Sequence, residues 1–332
     1  MKHSLIRIKS VHACISTLLA FFVMSLLVAY SYSFGPSLYD SKYQEHIIIE
    51  PTDSLYIIAQ RLEERRLIVS AFAFQVAYSF IAGNTPIVSG AYELSPSQDA
   101  WSIAREFMKS PHHAWVEIPV GYRLEQVSAI LSETLEWSSD DIENFKELSQ
   151  ASSTFKLDGI FLPGIYLIEK KSAPQTVVSM FYTRVSDLYR DILQTSVVKN
   201  VSLSDALIIA SLIQKEAAGK SDRNLVSGII HNRLEKNMKL QIDATLQYIK
   251  GYEGDWWQTP YSEDKYLESP YNTYTHTGLP PGPISNASIE TLKAALNPQL
   301  TSCLFYLHDP KARIHCSATY AGHLSNIDAH LR

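Results

Sequence analysis

Positive charge is in short supply in this chain. Its 29 Lys and Arg are outnumbered by 34 Asp and Glu, giving a formal net charge of −5 over 332 residues. A phosphate backbone meets no basic surface here, so nucleic acid is excluded as an expected partner. Cysteine is scarcer still, with only Cys14, Cys303 and Cys316. Cys14 lies in an apolar run, and the remaining two are too few for a disulfide framework; their spacing leaves open whether they are bonded. The 11 histidines show no H-E-x-x-H motif and no paired Cys/His spacing, so no metal or cofactor is expected. A G-x-S-x-G elbow is missing, as is an S-x-x-K motif with its companions, which argues against serine nucleophile chemistry. Long disordered stretches are not expected either, because 46% of the residues are hydrophobic and Gly and Pro number only 13 and 15. The length suggests about two domains.

What is present begins with a membrane signal. Ala13 to Phe34 carries no charged residue and follows Lys2, Arg7 and Lys9. It is long enough to cross a hydrocarbon core of about 30 Å. The flanking charge predicts a cytoplasmic segment over 1–12, an anchor over 13–34 and an exported remainder. A cleaved signal peptide is the alternative, with Ala29 and Ser31 as small residues at a cleavage site. The apolar run exceeds the usual h-region of about 7–15 residues, which favours an uncleaved anchor.

Beyond the anchor the periodicities predict an α+β chain. His46–Glu50 reads as a strand, Ser54–Leu67 and Ala71–Ile81 as helices, Gly90–Leu94 as a strand and Asp99–Met108 as a helix. Trp115–Tyr122 gives a strand and turn, and helices follow over Arg123–Leu135 and Asp140–Ser149. Pro163 and Gly164 read as a turn before a helix from Pro174 to about Val197. Further helices are expected from Ser202, over Asp222–Lys236 and over Ser288–Leu296, with a hairpin of Cys303–His308 and Ile314–Thr319.

Two places carry chemistry. The run SPYNTYTHTGLPPGP, Ser269–Pro283, packs aromatics, hydroxyls, amides and four prolines together. Pro280, Pro281 and Pro283 stiffen it, and it reads as a rigid loop facing a ligand such as a sugar, or as a proline-rich loop packed on itself. The second is the helix from Ser202, where Ser202 and Asp205 stand in capping-box spacing and ALIIASLI is apolar all round. Such a helix must be buried, and Glu216 lies at its last turn before the stop at Gly219. Desolvation there raises a carboxyl's pKa, as protonation of a glycosidic oxygen requires. An ion pair of Glu216 with Lys215 or Lys220 is the alternative reading. For a second carboxylate, Asp243 stands ahead of Glu268 and Asp328.

The order of Glu216, Asn232-Arg233-Leu234, Leu240-Gln241, Asp243, Thr245, then SPYNTY and GLPPGPI, resembles the endolytic murein transglycosylases, the YceG-like family, from about Tyr43 to the C-terminus. The resemblance implies a small LysM-like α+β module over 43–112, a connecting α+β region over 113–198 and a C-terminal α+β catalytic domain over 199–332. It further implies Glu216 as the catalytic acid, and Asn232, Gln241, Asp243, Thr245, Tyr271, Asn272, Thr273, Tyr274 and His315 as glycan-binding residues, with His323 another matching histidine. Arg233 is expected to tie its helix to a neighbouring carboxylate or carbonyl. The implied partners are peptidoglycan glycan strands, the inner membrane and peptidoglycan synthases, with the bulk of the chain periplasmic. Four positions depart from the family's pattern: Asp158, Gly164, Gln214 and Ala244, the last replacing a proline in D-P-T. They motivate the alternative of a catalytically silent glycan-binding or scaffold protein of the same fold.

Overall fold

A computed structural model describes residues 2–39, 42–151 and 157–331, and the chain falls into two units, Met1–Trp115 and Val116–Arg332. The first opens with α1 (Lys2–Phe34), whose segment Ile15–Phe34 is long and apolar enough to cross a membrane and has no buried residue in its apolar window. There follow β1 (Glu45–Ile49), α2 (Leu55–Glu64), α3 (Ala71–Ala82), β2 (Gly90–Leu94) and α4 (Ala100–Glu106). Strands β1 and β2 pair antiparallel, from Glu45 opposite Leu94 to Ile49 opposite Gly90. The period of two turns Ile47 and Ile49 inward and leaves Ile48 exposed. Helices α2, α3 and α4 each start on a side-chain cap: Ser54, Ser70 and Asp99 accept from the amides of Ile57, Ala73 and Ser102. Phe74, Tyr78, Tyr92 and Phe107 fill the space between helices and strands. β3 (His113–Ile118) follows, and it passes so close to Gly90 that a Cβ there would meet the His113 carbonyl at 2.3 Å; only glycine fits.

The second unit continues with α5 (Leu124–Thr134), α6 (Ser139–Ala151), β4 (Gly164–Glu169), α7 (Pro174–Thr195), α8 (Leu203–Glu216), α9 (Arg223–Glu235), α10 (Asp243–Lys250) and α11 (Ile289–Leu296). A hairpin of β5 (Phe305–His308) and β6 (Ile314–Ser317) and a final helix α12 (Tyr320–His330) complete it. Helix α8 is the axis of this unit. Eight consecutive residues, Ala206 to Ile213, are at most 4% exposed, and α9, α10 and α11 pack around them. At about 1.5–3 kcal/mol for each fully buried Leu or Ile, this helix is held by packing, whatever its intrinsic propensity. Its one polar core residue is satisfied: the Ser211 hydroxyl donates to the Ile208 carbonyl at 2.7 Å and accepts from the Ile284 amide at 3.1 Å. Phe161 and Phe181, from before residue 199, share a single core with Leu207 and Leu292 from after it.

Three differences from the sequence reading have physical causes. Gly164, expected in a turn, begins β4 with φ of +153°, so the chain turns and enters the strand at one residue. Helix α10 is too short to show a periodicity of its own, and α12 has no buried residue, so neither leaves an apolar stripe to be read. The second half of the proline-rich run is core. Pro280, Pro283 and Ile284 are buried, and Pro283 with Leu207 leaves no room for a Cβ on Gly159. Beyond it the Asn286 side chain donates to the carbonyls of Pro119 and Phe161.

Candidate active site

Helix α8 delivers Glu216 as its last residue. The Ser202 hydroxyl caps the far end, accepting from the Asp205 amide at 3.0 Å, and the apolar core fixes the helix in between. The turn that follows is pinned by buried Asp222, which accepts from the amides of Ala218 and Gly219 at 3.1 and 3.0 Å. Glu216 is thus held from both sides along the chain.

Its carboxyl meets two donors. The Tyr306 hydroxyl, from β5, donates to Oε2 at 2.6 Å, and the Ala244 amide, in the first turn of α10, approaches Oε1 at 3.5 Å. Glu216 pairs with neither Lys215 nor Lys220; the Lys215 ammonium lies instead 3.2 Å from the centre of the Trp257 ring, where burial lowers its pKa to about 8. Burial raises the Glu216 pKa above the ordinary glutamate value and the nearby Asp243 charge adds to this, while the bonds from Tyr306 and Ala244 and the charge of His308 act in the opposite sense.

Glu216 opens on a cavity of about 480 Å³, whose walls include Gln241, Asp243, Tyr274, Tyr306, His308 and His323. Asp243 accepts from the Tyr274 hydroxyl at 2.5 Å. His308 Nε2 lies 2.8 Å from Asp222 Oδ2, so one buried carboxylate fixes both the turn after Glu216 and a cavity histidine. The Nδ1 of His323 is buried without a hydrogen-bond partner, and its ring stacks on Phe305. Gln241 adopts φ of +52°, a left-handed conformation uncommon for glutamine, at the point where its amide donates to the Thr273 carbonyl. Among the described residues, no group of three or more His, Cys, Asp and Glu could hold a metal ion.

Of the nine residues expected to bind glycan, the structure brings Gln241, Asp243 and Tyr274 together at the cavity with Glu216. The others do not line it and are engaged with backbone or neighbouring side chains. Asn232 donates to the carbonyls of Thr301 and Cys303, just before β5. Buried Asn272 donates to the carbonyls of Lys265 and Leu267 and accepts from the Tyr274 amide, so it shapes the SPYNTY turn. Thr273 accepts from the Ile242 amide and Thr245 donates to the Ile242 carbonyl, locking that turn to the start of α10. Tyr271 packs its ring on Tyr248, 4.8 Å between centres. His315 lies 3.1 Å from Asp309 and stacks on His330. Arg233 reaches carbonyls, as expected: those of Leu304 and Leu240, both at 2.6 Å. Gln214 accepts from the Ser288 amide and the Thr291 hydroxyl.

Tyr306 and His308 were not singled out by sequence, although the alternation of CLFYLH places them on one face of a strand. The hairpin that carries them is stapled at its base by a Cys303–Cys316 disulfide, with Cα atoms 5.8 Å apart.

The model of the YceG-like family matches residues 47–329. The endolytic murein transglycosylase of Bacillus subtilis is 28% identical over 327 residues, which cover 90% of this chain and 89% of that one. A protein of the same name from Streptococcus pneumoniae is 24% identical over 311 residues, 82% of this chain and 56% of its own length. The crystal structure of a YceG-like protein from Listeria monocytogenes superposes with a TM-score of 0.55 at 28% identity, covering 86% of this chain and 99% of that chain. With most of its length matched by that family model, the chain belongs to the YceG-like family.

Proposed function

We propose that this chain is a membrane-anchored endolytic lytic transglycosylase that cuts the bond between N-acetylmuramic acid and N-acetylglucosamine in nascent peptidoglycan strands. The observation that carries the reading is Glu216: a carboxyl at the end of a buried helix, bonded by Tyr306, with a pKa raised by burial, opening on a cavity of about 480 Å³. In this reading Glu216 protonates the leaving glycosidic oxygen and then, as carboxylate, takes the proton of the muramic C6 hydroxyl as that oxygen closes on C1. The product end is a 1,6-anhydro sugar, and no outside water is consumed. Because the nucleophile is tethered to the reacting ring, the step gains the proximity advantage. Asp243, Gln241, Tyr274 and His323 would hold the sugars, and the remaining expected residues would act through the backbone they fix.

The silent-scaffold alternative draws little support from Gln214, which binds the N-terminus of α11 and so leaves Glu216 untouched. For the anchor, the support is that α1 runs unbroken through its apolar segment. Residues 43–112, with β1 and β2 paired around two helices, fit the LysM-like glycan-binding role, and synthases remain proposed partners.

Digestion of uncrosslinked glycan strands with the full chain, followed by mass spectrometry, tests the reaction. Ends one water lighter than hydrolytic ends and resistant to borohydride are expected. Reducible ends would make the chain a hydrolase with Asp243 as base, in which case Asp243→Asn would abolish turnover. No cleavage at all would favour the scaffold. Retention in the membrane pellet after carbonate extraction is the expected result for the anchor.

A further inference from the structure

Helix α3 presents water with a face that does not suit it. Phe72, Val76 and Phe80 recur at the four-residue spacing of one helix face. They are 74%, 40% and 81% exposed. The whole run from Leu67 to Tyr92 contains no Asp, Glu, Lys or Arg. A solvent-facing helix is ordinarily marked by charges on its outer side.

This face is continuous with the end of α1. The ring of Phe80 meets Trp101 edge-on at 5.7 Å, and Phe34 of α1 stacks on Trp101 at 5.8 Å. The Trp101 indole N–H donates to the Tyr30 hydroxyl at 3.1 Å. The chain leaving α1 is tied down at once: the Leu38 amide donates to the Pro96 carbonyl at 3.0 Å, the Ser37 hydroxyl bonds the Arg66 carbonyl, and Pro36 bridges to Ile68. The module is therefore fastened directly against the last turns of α1, within the same unit. Aromatic rings with a polar tip concentrate where a spanning helix leaves the hydrocarbon, and an apolar helix face lies in that boundary about 5–10 Å deep.

We propose that the face of α3 carrying Phe72, Val76 and Phe80 rests in the lipid bilayer that α1 enters, making the module a second, monotopic membrane contact. The inference rests on the reading of α1 as a membrane anchor. A lipid surface is favoured over a protein partner because the face is contiguous with an apolar helix none of whose spanning residues is buried, and because it offers no charge to specify a partner.

The test uses the full chain reconstituted into phosphatidylcholine and phosphatidylglycerol vesicles, prepared with and without bromine on the acyl chains. In Phe72→Trp and Phe80→Trp the added tryptophan should emit at shorter wavelength and lose most of its emission in brominated vesicles. Melting curves check that both variants are folded; should either fail, the emission lost between wild type and Trp101→Phe gives the same reading. If the protein floats with the vesicles but the added emission is quenched by aqueous iodide and not by brominated lipid, the face is in water and the inference is overturned while the anchor stands. If neither quencher reaches it, a protein surface covers it, and the lipid assignment is overturned. If the protein does not float with the vesicles, the anchor reading fails and this inference with it.

Discussion

Two carboxyls of the second unit, Glu216 and Asp158, share their most conspicuous features. Each has its pKa raised chiefly by burial, that of Asp158 to about 6, and each is bonded by a tyrosine hydroxyl: Tyr306 at 2.6 Å for Glu216, Tyr248 at 3.2 Å for Asp158. Their surroundings differ. Glu216 opens on a cavity that also presents Asp243, His308 and His323, and its tyrosine comes from a hairpin anchored separately by Asn232, Arg233 and a disulfide. Asp158 lines a smaller cavity of about 350 Å³ with Leu124, Glu125, Ser128, Phe145, Lys146 and Tyr248, and the Arg123 guanidinium sits over the Tyr248 ring at 4.2 Å. Desolvation and a tyrosine bond therefore do not by themselves make a catalytic acid. Glu216 is the one proposed as the acid because its cavity is the larger and gathers Gln241, Asp243, Tyr274, His308 and His323 on one open space.

Glu216→Gln should separate the two most sharply. The amide keeps the size and the bond from Tyr306 but has no proton to transfer. Cleavage should fall by at least the roughly 10²-fold that general acid catalysis typically contributes, with the melting temperature little changed. Normal turnover would remove Glu216 from its proposed role.

Asp158→Asn should do the reverse. The folded pKa of Asp158 is about 6, above an unfolded value near ~3.9, so the folded state binds its proton more tightly. Its contribution is present in full below the unfolded value and is lost as pH rises through about 6. At neutral pH the buried charge costs roughly 2–3 kcal/mol, which asparagine avoids while still accepting from Tyr248. Thermal melts at pH 7 should show stabilisation that shrinks toward pH 4, with cleavage unchanged. A loss of activity would mean that Asp158 also serves the reaction.

The asymmetry between these residues also marks where the sequence was legible. The place of Glu216 was readable because a helix apolar on every side, with a cap at Ser202 and a stop at Gly219, can only be buried, and its last turn must surface somewhere; its role as an acid came from the family resemblance, since an ion pair with Lys215 or Lys220 fits the same pattern. The glycan residues were harder, since Asn272 and Thr273 look equally polar whether they face a sugar or, as here, a neighbouring backbone. Tyr306 was invisible as a partner because its bond to Glu216 spans 90 residues, and no local periodicity reports a contact at that separation. Helix α12, with no buried residue, leaves no stripe.

Tyr306→Phe tests the donor. A hydrogen bond to a charged group contributes about 1.5–3 kcal/mol, so its loss should slow cleavage roughly tenfold or more if the bond fixes the carboxyl for proton transfer. The same bond lowers the Glu216 pKa, so removing it should raise that pKa. The descending limb of the pH profile of kcat/KM, where the acid loses its proton, should move to higher pH. A slower enzyme with an unmoved limb would indicate that Tyr306 only packs the hairpin.

The finest distinction lies at Ala244, where the resembling family places proline. Proline is tolerated in the first turn of a helix because the amide it lacks has no intrahelical partner there. Ala244 lies in the first turn of α10, but its amide is not idle: it points at Glu216 Oε1 from 3.5 Å. At that length the bond is weak, yet it favours the charged carboxylate and so opposes the effect of burial. Ala244→Pro should leave turnover at low pH nearly unchanged and shift the descending limb slightly upward, in the same direction as Tyr306→Phe and by less. A downward shift, or none in the presence of normal folding, would mean that the Ala244 amide does not tune the acid and that the departure from proline at this position is neutral.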